Sequence, residues 1–95
     1  MDTIIQDTRE CYRCGKTEPL QIHHLLAGSY RGNKKHPYGA EKYGLKIYLC
    51  PECHRFVHDH EDIMREYRKM AQLKAMEFYG WSVDDFIRKV GRNFL

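Results

Sequence analysis

"LCPECHRFVHDH", Leu49 to His60, places two cysteines and three histidines within a dozen positions. A metal ion takes about four ligands from a protein. The chain also carries Cys11 and Cys14, and a His23-His24 pair, further upstream. Together these donors exceed the needs of one ion, so the pattern asks for two sites.

The cysteines account for the first. Cys11-x-x-Cys14 and Cys50-x-x-Cys53 have the spacing of two knuckles, each turning two thiolates toward one ion. Two knuckles make a closed tetrahedral sulfur site, the usual structural zinc arrangement. Neither pair sits in the strand and helix setting of a thioredoxin-like redox motif. The compartment supports zinc over disulfides. No apolar run approaches transmembrane length, and Met1 to Glu10 is polar and mixed in charge, unlike a secretory leader. The expectation is a cytoplasmic protein with no membrane partner, where thiols stay reduced.

A closed sulfur site has no open position and does no chemistry, which leaves the histidines. His54 and His58 are four residues apart, on one face of an expected helix, so both imidazoles can reach one cation. His23-His24 closes an expected strand, "LQIHHLL" (Leu20 to Leu26), inserted between the knuckles. Joining the knuckles through zinc draws that strand against the helix after Cys53. The four histidines then share one cleft.

The remaining elements follow from pattern. "LKIYL" (Leu45 to Leu49) alternates and reads as a strand with one buried face. A helix begins near Cys53. A second runs from Glu61 to Tyr79, with Ile63, Tyr67, Met70, Ala71 and Phe78 on its apolar stripe, and Gly80 ends it. Ser82 caps a last helix that closes at Gly91, and Phe94 and Leu95 dock on the core. Ninety-five residues fit one domain over 1–95, with a core at about 11–60 and a helical extension at about 61–95. A core this small commonly needs a metal staple. Leu73, Met76 and Trp81 offer either a self-contact or plain surface, so monomer and homodimer both stay open.

At Cys11 to His58 the chain resembles the HNH nuclease family, the ββα-metal fold, through "CYRC", "IHHLL", "LCPECH" and His58. "EKYGLKIYLC" and "GRNFL" also look like small HNH proteins of phages and mobile elements, which implies a bacterial host. The resemblance implies an α+β fold: a zinc-stabilised ββα-metal core with C-terminal helices. It implies that His23 is the first ligand of a catalytic metal, that His24 is the general base, and that His54 and His58 complete the protein ligands. Three neutral imidazoles suit zinc or nickel better than magnesium, although the family often runs on magnesium or manganese. One departure stands out. The family's middle asparagine, which orients the base, has no counterpart in "GLKIYLC". Asn33 lies far upstream.

The expected substrate is DNA. The net charge is only +3, but from Gly28 to Tyr48 five basic residues face Glu41 alone. Arg31, Lys34, Lys35 and Lys42 stand there with Tyr30, Tyr38 and Tyr43 between them. Such residues neutralise phosphates and stack on bases without reading sequence. No segment resembles a helix that reads base edges. The expectation is a metal-dependent DNA endonuclease, a phosphodiester hydrolase with little sequence preference of its own. A protein partner is then a possible source of specificity. The alternative is a zinc-stabilised nucleic-acid-binding or interaction module with weak or no turnover. His36, beside Pro37, and His60, at a helix end, lack ligand spacing.

Overall fold

The computed structural model describes residues 3–26 and 43–95, and the fold is α+β. The described elements are strands β1 (Gln21–His24) and β2 (Lys46–Leu49) and helices α1 (Pro51–His58), α2 (Glu61–Tyr79) and α3 (Val83–Val90). The strands form one antiparallel pair, with His23 opposite Ile47 and His24 opposite Lys46.

β2 is lined on its other side by the N-terminal segment. The Tyr48 N–H donates to Gln6 Oε1 at 2.7 Å, and the Tyr48 carbonyl accepts from the Tyr12 N–H at 2.8 Å. Both bonds satisfy backbone groups that a two-stranded sheet leaves open. The Tyr12 bond also ties the first cysteine knuckle to the strand that leads into the second.

Both strands are shorter than the expected Leu20–Leu26 and Leu45–Leu49. β1 stops at His24, and Leu25 and Leu26 are then both buried, which a strand with two-residue alternation does not allow. α1 starts at Pro51, two residues before the expected Cys53. Cys50 is its N-cap, its thiol sulfur accepting from the Cys53 N–H, and Pro51 takes the first helical turn, where a missing N–H costs nothing. The knuckle and the helix start are one structure, so Cys50-x-x-Cys53, contrary to expectation, does follow a strand and open a helix.

α2 runs over the expected residues and ends at Gly80, which holds a left-handed φ of 69°. Of the expected stripe, Ala71 is buried and Ile63, Tyr67 and Met70 pack against the core, whereas Phe78 is 60 % exposed. Met64, Gln72 and Ala75 are buried as well. α3 carries the expected caps. The Ser82 hydroxyl accepts from the Asp85 N–H and the Asp85 carboxylate accepts from the Ser82 N–H, a full capping box. That N–H bond, first among its causes, holds the Asp85 carboxyl below the usual carboxylate range.

The core gathers Leu25, Leu26, Leu45, Ile47, Leu49, Val57, Phe86 and Val90 around the two strands and the three helices. Phe94 packs on it as expected, but Leu95 stays 52 % exposed. Gln72 fixes the tail. Fully buried, it donates from Nε2 to Asn93 Oδ1 at 2.8 Å and accepts from the Phe94 N–H at 2.6 Å. Gln72→Leu removes both bonds, each worth about 0.5–1.5 kcal/mol. The expected result is a lower denaturation midpoint and faster proteolysis after residue 91. An unchanged midpoint contradicts the clamp.

Candidate metal centres

The four cysteine sulfurs lie within 4.8 Å of one another. Cys14 Sγ and Cys50 Sγ are 3.8 Å apart. A tetrahedron with metal–sulfur bonds of ~2.3 Å has an edge of ~3.8 Å, so that spacing suits one shared ion. It is far beyond a disulfide bond, and all four thiols are free. Each knuckle is shaped by backbone bonds. The Cys14 N–H donates to Cys11 Sγ, and the Gly15 N–H donates to the Cys11 carbonyl with Gly15 at φ 82°. The cluster can hold a structural metal ion, and sulfur donors favour zinc.

Electrostatics within the cluster is uneven. Burial pushes the Cys11 thiol up, but the backbone N–H groups of Cys50, Cys14 and Arg13 outweigh it and bring it down to about 6. Burial dominates at Cys53 and pushes its thiol up to about 12, although Arg13 opposes the rise. Arg13 Nη1 lies 3.8 Å from Cys53 Sγ, while its guanidinium rests 3.9 Å above the Phe56 ring. It sets a positive charge beside a site that collects thiolates.

His23, His54 and His58 form the second cluster, also with ligand atoms within 4.8 Å of one another. The His23 ring stands 5.1 Å from both other rings, centroid to centroid, and His54 and His58 are 4.8 Å apart. β1 supplies the first ring and one face of α1 supplies the other two. The strand's orientation runs against ordinary burial. Ile22 is 47 % exposed while His23 is only 3 % exposed. Burying an imidazole and exposing an isoleucine reverses the usual preference. Moreover, His23 Nε2 is buried without a hydrogen-bond partner. A buried polar atom left unpaired costs about 1–3 kcal/mol, a cost that a metal bond removes.

The tautomers agree. His54 Nδ1 lies 2.7 Å from Gln21 Oε1, so Nδ1 carries the proton and Nε2 keeps a lone pair for an ion. Gln21 was not among the residues singled out from sequence. Its signal was there, because it stands two positions before His23 and so shares its side of the strand. Burial first, then the neighbouring charges of His54, His58, His24 and Arg68, brings His23 down to about 4. Burial and then His58 lower His54 as well. Neutral imidazoles are what a metal requires. These residues therefore fit a divalent cation.

The lowered His23 value sets a pH dependence. The folded value, about 4, lies below the 6.5 of an unfolded histidine. The unfolded chain binds more protons between them, so this contribution is complete above pH 6.5 and is lost as pH falls toward 4. Melting temperatures of protein without added metal should fall from pH 7 to pH 5, and fall less in His23→Gln. Equal slopes in the two proteins contradict the assignment.

His24 stands outside the three-histidine cluster. It is half-buried and is the last residue of β1, and the chain bends immediately after it. His24 is still paired in the strand, opposite Lys46, where alternation turns neighbouring residues to opposite faces. β2 holds no asparagine, and Lys46 is the residue opposite His24. His60 caps α2, with Nδ1 donating to the Phe56 carbonyl at 2.7 Å and its ring stacked on Phe56, apart from both clusters. Arg31, Lys34, Lys35 and Lys42, with Asn33 and His36, lie outside the described residues.

Among the described residues, no helix is long and apolar enough to cross a membrane. No family model matches the chain, nor does any curated protein or solved structure.

Proposed function

We propose that the protein is a metal-dependent endonuclease of the HNH type that hydrolyses phosphodiester bonds in DNA. The observation that carries this reading is the buried, unpartnered Nε2 of His23, turned in at the cost of exposing Ile22 and converging with His54 and His58. A structural zinc site has no use for these histidines, because the four cysteines already make a complete donor set. A second set of three neutral donors leaves positions open for water and phosphate.

His23, His54 and His58 would hold a divalent cation, which would supply a Lewis acid for the phosphate and the leaving oxygen. Three neutral imidazoles would leave its full charge for the substrate. His54 is kept in the right tautomer by Gln21. His24 would accept the proton of the attacking water, the usual role of an imidazole acting as general base. That hydroxyl oxygen bonds to phosphorus as the 3′ oxygen leaves, giving a 5′-phosphate and, after protonation, a 3′-hydroxyl.

One observation favours the second reading, a zinc-stabilised module that binds nucleic acid without turnover: β2, Lys46–Leu49, lacks the asparagine that orients the base in the family. A plasmid-nicking assay separates the two. Purified protein is given magnesium, manganese, zinc or nickel in turn, with His24→Ala and His58→Ala alongside. Metal-dependent nicking that both variants lose supports the nuclease. Retained DNA binding without nicking under any metal supports the module.

A further inference from the structure

Resting on the nuclease reading, we infer that a groove between α2 and the C-terminal tail binds backbone phosphates of the nucleic acid through Arg65, Arg68 and Arg92. The groove measures about 270 Å³ and is lined by these arginines with Glu61, Asn93, Phe94 and Leu95. Three guanidinium groups meet one carboxylate there, so the surface favours an anion. The sequence conceals this, because the charges of α2 cancel along its length. They do not cancel around it: Glu61, Arg65, Arg68 and Gln72 fall at i, i+4, i+7 and i+11, on one stripe of the helix.

Gln72 is what turns that stripe into a groove. It holds Asn93 and the Phe94 backbone against α2, and so sets Arg92 across from Arg65 and Arg68. Arg68 is the best fixed of the three, with a side chain 20 % exposed and Nη1 donating to Glu61 Oε1 at 2.8 Å. A guanidinium has five N–H donors in a rigid fork, so this bond leaves others for a phosphate. Arg92 lies 5.3 Å from the Phe94 ring, which supports its guanidinium plane.

α2, which carries Glu61, Arg65 and Arg68, begins three residues after His58, the last residue of the helix that holds two of the three histidines. Arg68 lines the groove, and α2 packs against α1, the helix that carries His54 and His58. A strand whose scissile phosphate sits at the histidines would run its neighbouring phosphates along these arginines. Such contacts neutralise charge and fix the register of the backbone without reading bases.

The test is fluorescence anisotropy on a labelled duplex of about 20 base pairs, roughly two turns of helix. Zinc-loaded protein without other added metal is measured across a salt series. Wild type is compared with the double variants Arg65→Ala/Arg92→Ala and Arg65→Lys/Arg92→Lys. Both positions are exposed, so circular dichroism and zinc content should match wild type. Each lost phosphate contact removes about 0.9 from the slope of log K against log salt. The double alanine variant should therefore lose nearly two units of slope and bind about tenfold or more weakly at low salt, while the lysine variant keeps most of the slope. An unchanged slope in the alanine variant overturns the groove, even if wild type nicks DNA. Arginine-dependent binding without nicking by wild type upholds the groove as a phosphate site and overturns the nuclease. Wild type that neither binds nor nicks overturns both.

Discussion

Cys53→Ala is expected to abolish folding at ordinary temperature. Cys53 is 6 % exposed, and Cys11 and Cys50 are buried with it in the same cluster as Leu49 and Val57. Three of the four sulfur ligands thus belong to the core, and only Cys14 is exposed. Structural zinc in small domains contributes ~10–16 kcal/mol of apparent binding free energy at neutral pH. Whole domains are stable by only ~5–15 kcal/mol. Losing one of four thiolates removes a large part of the first quantity, which is comparable to the whole of the second. Cys50 adds a local reason, because its sulfur caps α1, the helix that carries His54 and His58. Circular dichroism with zinc analysis would check this: Cys53→Ala should show no cooperative melt and no bound zinc, and a strong chelator should unfold the wild type. A variant that melts cooperatively near the wild-type midpoint would show that the four cysteines are ordinary core residues.

The second large effect is on catalysis. His24→Ala should reduce nicking by about 10²–10⁴, the usual contribution of a general base. It should retain the zinc content, the fold and most of the DNA affinity, since His24 belongs to neither donor set. His58→Ala should fail differently. It removes one of three nitrogen donors, so the loss is in metal affinity, and high metal concentration should recover part of the rate. The same metal should not rescue His24→Ala. Equal rescue of both variants would make His24 a ligand instead of the base, and undiminished nicking by His24→Ala would remove it from the mechanism.

The sulfur site was readable residue by residue, because a CxxC knuckle is local geometry: two residues between thiols suffice to aim both at one ion. The pairing of His54 with His58 was readable for the same reason, as a single helical turn links them. The C-terminal end of α2 and both caps of α3 were marked by Gly80, Ser82 and Gly91, whose backbone and capping chemistry does not depend on the rest of the chain. Pro51 carried the start of α1 as well, and its preference for the first helical turn was the overlooked signal.

The side of β1 that faces inward was decided only by tertiary structure. Hydrophobicity alone turns Ile22 in, whereas the fold turns in His23, since only that register brings an imidazole to His54 and His58. The buried side of α2 likewise depends on the tail. Gln72 is tolerated in the core because Asn93 and Phe94, some twenty positions later, supply its hydrogen bonds. Phe78, which fits the apolar spacing of α2, stays 60 % exposed. Local patterns determined where the turns, caps and knuckles fall. Which polar groups are buried, and which arginines meet across a groove, depended on partners distant in sequence, and no local pattern encodes those.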